Sequence, residues 1–137
     1  DNMKDIWTER ITVGTHTRKW YVPECWRSGY DIGGGWTEAE HIETRVDTYI
    51  LTANAAYDQK REVLVLDLEV TIADYEPQVL AHERIFETQE NREAAIRSVI
   101  KHVDAWNVKA VLMVPLPDRR TDAEIKADYL REQQRPA

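Results

Sequence analysis

The chain has 137 residues, of which 42% are hydrophobic and 31% charged; this suits one globular domain and excludes a disordered polymer. Its 18 basic and 25 acidic residues give a net charge of −7, which argues against a broad phosphate-backbone interface and favours a partner with a basic surface. Apolar runs of at most four or five residues are too short to cross a membrane, no signal-peptide pattern opens the chain, and the single cysteine, Cys25, excludes an internal disulfide, so a cytoplasmic protein is expected.

Asp1-Asn2 ahead of Met3 reads as an expression remnant, with residues 3–134 as a single α+β domain and 135–137 as a tail. Residues 6–16, rich in β-branched side chains, predict a first strand, and Arg18–Val22 a second that Pro23 ends. Residues 23–36 carry Gly29, Gly33, Gly34 and Gly35 and predict an irregular loop. Thr37-Glu-Ala-Glu40 has capping-box spacing and predicts one or two helical turns. Strands follow over 45–56, 62–73 and 78–87, joined by turns at Tyr57–Lys60 and Asp74–Pro77. Short turns of this kind imply an antiparallel meander.

Thr88 is the expected cap of a helix over about 89–105 whose apolar stripe is Ile96, Val99, Ile100, Val103 and Trp106 or Asn107. Val108–Val114 predicts a compact apolar strand that Pro115 ends. Thr121-Asp-Ala-Glu124 is a second capping box, opening a helix to about residue 134. Strands first and helices last imply an α+β fold: a mainly antiparallel sheet, the N-terminal meander, with two C-terminal helices packed on one face.

Within residues 61–73, Leu64, Leu66, Leu68, Val70 and Ile72 share one strand face, which must be core. Val63, Val65, Asp67, Glu69 and Thr71 share the other, either a solvent face or the wall of a site. Asp67 and Glu69 could share a divalent cation such as Mg²⁺. Val65-Leu-Asp-Leu-Glu69 resembles the first acidic motif of the DnaQ-like exonucleases, over these five residues alone. The resemblance implies a metal-dependent nuclease. Its further carboxylates would have to come from Asp104 and Asp118, neither of which sits in a matching pattern.

The second constellation lies near the N-terminus. Trp7, Trp20, Trp26 and Trp36 fall in the first 36 residues with Tyr21, Tyr30, Arg18, Lys19 and Arg27. Residues 10–29 are locally basic, with Arg10, Arg18, Lys19 and Arg27 against Glu24. Trp, Tyr and Arg dominate protein contact sites, and they also stack on bases and pair with phosphate. The glycines match neither a P-loop nor a dinucleotide fingerprint. The bland alternative is a small second core that pins a long loop. Cys25 could be a nucleophile with His16 or His41 as base, but an isolated cysteine is ordinarily a small apolar residue. His16, His41, His82 and His102 lack zinc-ligand spacing.

The sequence therefore points first to a non-enzymatic binding or inhibitor protein that occupies a surface of another macromolecule. In general type it is similar to the small acidic phage- and plasmid-encoded antagonists of host defence. Trp20, Trp26, Trp36 and Arg27 are the expected anchors, with Glu38, Glu40 and Glu43 at the rim. A nucleotide- or anion-binding protein using Arg18, Arg27 and Trp20 or Trp26 is the second reading, and the Asp67–Glu69 nuclease the third. A homodimer is expected, two-fold dimers being the commonest assemblies.

Overall fold

The computed structural model describes residues 2–29, 33–74 and 76–136. The chain is α+β, a four-stranded antiparallel sheet with two C-terminal helices. In chain order the elements are β1 (Met3–Val22), β2 (Cys25–Ser28), β3 (Gly35–Glu38), β4 (His41–Asp58), β5 (Val63–Ala73), β6 (Gln78–Thr88), α1 (Arg92–Met113) and α2 (Asp122–Gln133). The sheet order is β1-β4-β5-β6, and β2 with β3 forms a separate two-stranded ribbon. Two compact units result: Asp1–His16 with Asp47–Leu116, and Thr17–Val46 with Pro117–Ala137. Both β1 and β4 contribute residues to each unit.

In the first unit the meander β4-β5-β6 forms as the alternation requires. Leu51, Ala53, Ala55 and Tyr57 of β4 pair with Val70, Leu68, Leu66 and Leu64 of β5. All eight are buried, and the four β5 residues have no exposed surface. The α1 residues Ala95, Val99, Val103, Trp106 and Ala110 complete this core, spaced by three and four as one helical face demands. Small Ala53 and Ala55 leave room for the large side chains around them. The opposite face of β5 carries Val63, Val65, Asp67 and Glu69, all half-buried.

Four local expectations are corrected. The expected strands at 6–16 and 18–22 are one strand, β1. The cap of α1 is Asn91, not Thr88: its side chain accepts from the Ala94 amide at 2.8 Å, while Thr88 finishes β6. Asn and Thr are both good caps, so composition alone did not discriminate between them. Val108–Val114 is not a strand. It continues α1 to Met113, because Trp106 and Ala110 extend the buried stripe. Val114 then turns extended (φ −73°, ψ 121°), as a residue before proline prefers. Thr37–Glu40 opens no helix; Thr37 and Glu38 lie in β3.

The capping box at Thr121 is present, with Thr121 and Glu124 bonded reciprocally. Helix α2 belongs to the second unit, where Ile125 is its buried residue and Tyr129 meets Tyr21 with ring centroids 5.1 Å apart. Among the described residues no helix is long and apolar enough to cross a membrane.

Candidate functional site

The expected loop at 23–36 holds instead the β2–β3 ribbon, and its geometry arranges the exposed aromatics. The register pairs Cys25 with Glu38, Trp26 with Thr37, Arg27 with Trp36 and Ser28 with Gly35. Directly paired residues share a face and successive residues alternate. Trp26, Thr37 and Gly35 therefore lie on one side, and Cys25, Arg27, Trp36 and Glu38 on the other. Gly33 and Gly34 sit at φ +67° and +72°, a region open chiefly to glycine, and the Gly29 amide donates to the Gly34 carbonyl at 2.8 Å. Gly35 has a different reason. A Cβ there would lie 2.2 Å from the Arg27 carbonyl and 2.5 Å from the Trp26 ring, so the indole lies across the space a side chain would fill.

Both indoles remain largely in solvent, Trp26 at 64% and Trp36 at 56% exposure. Trp20 is 40% exposed, with the Arg18 guanidinium 5.8 Å from its ring centroid. It borders a cleft of about 380 Å³ shared with Tyr21, Tyr129 and Arg120. Trp7 behaves differently: it packs against the main core and donates to Glu9 at 3.0 Å. Tyr30 lies outside the described residues. The sequence grouped these tryptophans without distinguishing Trp7, although its place within a strand already set it apart from those near the glycines.

The expected rim carboxylates have partners inside their own unit. Glu38 accepts from Arg27 Nε at 2.8 Å, and this bond raises the pKa of Arg27. Glu40 accepts from Lys126 Nζ at 2.8 Å and also from the Tyr21 hydroxyl; the Lys126 bond, then that of Tyr21, lowers its pKa. Glu43 lies 2.7 Å from His41 Nε2, whose ring also meets the Ala39 carbonyl. The Ala39 bond, followed by that of Glu43, raises the His41 pKa. Glu38 thus ties β3 to β2, Glu40 ties the β3–β4 connection to β1 and α2, and Glu43 holds the His41 ring within β4. Cys25 is half-buried on the Trp36 face of the ribbon, and the two ring nitrogens of His41 are engaged by the Ala39 carbonyl and Glu43.

Asp67 and Glu69 occupy the half-buried face of β5, but Asp67 is already engaged. Arg84 grips its carboxylate through two bonds of 2.8 and 3.2 Å, and His82 approaches at 3.3 Å. The Arg84 bonds hold Asp67 below the ordinary carboxylate range. Asn54 and Arg84 flank Asp67, and Thr52 and His82 flank Glu69, so the neighbours across the strands bring a guanidinium, an amide, a hydroxyl and an imidazole to this acid pair instead of more acids. Among the described residues no three His, Cys, Asp or Glu side chains converge to hold a metal ion.

One cluster had no signal in the sequence. Glu87 at the end of β6 accepts from Gln89 at 3.0 Å and from Ser98, and lies 2.6 Å from His102 Nε2. Ser98 and His102 stand one turn apart on α1, so Glu87 clamps helix to sheet. Ser98 and His102 each bond to Glu87 and no hydrogen bond joins the two, so the nucleophile-to-base bond that catalysis by a serine needs is not formed here.

No family model, characterised protein or solved structure matches this chain.

Proposed function

We propose that this protein is a non-enzymatic binding protein whose β2–β3 ribbon enters a cleft of a protein partner and blocks it. The observation that carries this reading is the display of Trp26 and Trp36 on opposite faces of one narrow ribbon, both mostly in solvent. A flat partner could cover only one of them. A cleft covers both, and fully desolvated indoles are the commonest anchors of protein interfaces.

Charge supports a protein partner over nucleic acid. The unit that holds the ribbon is close to neutral, with ten acidic and nine basic residues, and Arg27 is compensated by Glu38. The 15 acidic against nine basic residues of the other unit supply the negative field. That field repels phosphate backbones and steers the molecule toward basic proteins. Inhibition by occupancy, in the manner of a host-defence antagonist, needs no catalytic group.

The test is capture of a partner by the wild type, by Trp26→Ala, by Trp36→Ala and by the double variant. Each deletion should weaken binding by about 2–4 kcal/mol, roughly 30- to 1000-fold in Kd. Both rings are exposed, so circular dichroism and melting should stay as in the wild type. Undiminished capture by the double variant refutes the proposal.

A further inference from the structure

The first unit contains a cleft of about 480 Å³ beside the N-terminal end of β1, the β4–β5 turn and the start of α1. It involves none of the ribbon residues. Three cations line it: Lys4 from β1, Lys60 from the turn and Arg92 at the first position of α1. None of the three side chains has a hydrogen-bond, ion-pair or ring partner among the described residues. Arg27, Arg84, Arg120 and Lys126 all do. In a unit with only nine basic residues against 15 acidic ones, three exposed cations with no direct side-chain partner meet at one opening, where an anion can join them.

The rest of the lining sets the character of that anion. Ile6 and Tyr57 give the cleft an apolar wall. Tyr57 is fixed, 3% exposed, with its hydroxyl donating to the Gln89 carbonyl at 2.5 Å. Among the described residues that line it, Asp5 is the one carboxylate, and Asn2 also borders the opening. Nearby Asp58 is turned to the Lys60 and Arg61 amides, both at 3.0 Å. Glu62, Asp58, Glu90 and Glu93 are near enough to act on the Tyr57 phenol electrostatically. Such a background opposes a highly charged polyphosphate, and with Asp5 set against the three cations the lining suits a single anionic group. The volume falls within the range of small-molecule sites.

We infer that this cleft binds a small molecule carrying a single phosphate group on an apolar or aromatic body, of the size of a nucleoside monophosphate. The cations hold the phosphate as point charges and a guanidinium fork. Ile6 and Tyr57 bound the body.

The experiment is calorimetric titration of the full chain with inorganic phosphate and with each of the common nucleoside monophosphates. The variants are Lys60→Ala/Arg92→Ala and, as control, Arg97→Ala/Lys101→Ala, which removes two exposed α1 cations outside the cleft. At least one monophosphate should bind more tightly than inorganic phosphate, weaken at least ~10-fold in the cleft variant, and lose affinity with added salt. The control should bind as the wild type does. Trp26→Ala/Trp36→Ala should also keep this affinity, which separates the cleft from the ribbon. Absence of binding at roughly 10 mM of every probe overturns the inference. So does equal affinity in the cleft variant, or no preference over inorganic phosphate.

Discussion

Replacing Glu87 with Gln should loosen the attachment of α1 to the sheet in a pH-dependent way. The carboxylate accepts from Ser98 and Gln89 and lies against His102, and its side chain is 27% exposed. A hydrogen bond to a charged group contributes about 1.5–3 kcal/mol and a neutral one about 0.5–1.5, so three contacts lose about 3–4.5 kcal/mol when the charge is removed. Glutamine retains an acceptor, and water reaches part of the site, which reduces the expected loss to about 1–2 kcal/mol at neutral pH. The Ser98 bond is the largest cause holding the Glu87 pKa below its ordinary value. A carboxylate with a lowered folded pKa stabilises fully above the unfolded value, ~4.3, and loses that contribution as pH falls through the folded pKa. Urea unfolding followed by circular dichroism should therefore show the gap between wild type and Glu87→Gln at about pH 7 and a smaller gap at about pH 3. No gap at neutral pH, or an equal gap at both, would refute the clamp.

Three further outcomes follow from other contacts. Arg84→Ala should raise the Asp67 titration midpoint toward ~3.9, read by carbon NMR of the side-chain carboxyl, since Arg84 is the main cause of its depression. Gly35→Ala places a methyl where the Trp26 ring and the Arg27 carbonyl already lie. It should shift the indole fluorescence and weaken partner capture while leaving the first unit folded by hydrogen exchange. Leu66→Ala, at a site with no exposed surface between Ala55 and Ile85, should cost about 2–5 kcal/mol in urea unfolding.

The parts of this fold governed by local periodicity were visible in the sequence. The alternation from Val63 to Ile72 placed Leu64, Leu66 and Leu68 in the core, and Thr121 with Glu124 marked the start of α2. The density of apolar residues from Val108 to Val114 hid their helical state: Val108 and Leu112 are 63% and 80% exposed, so no clean stripe exists there to read. The ribbon was hidden for another reason. Its strands have four residues each, and glycine and tryptophan carry little alternating signal at that length. Clusters assembled from distant positions, such as Glu87 with His102 or Lys4 with Lys60 and Arg92, have no local pattern at all.

The central claim is that both faces of the ribbon are covered by one partner. Its most direct test is photocrosslinking from each face in turn. The native Cys25 carries a benzophenone on the Trp36 face, and Thr37→Cys in a Cys25→Ser background carries it on the Trp26 face. Insertion in a cleft predicts crosslinks from both positions to the same protein, in segments that line opposite walls. Crosslinks from one face alone, with the other reactive only toward solvent, would contradict it.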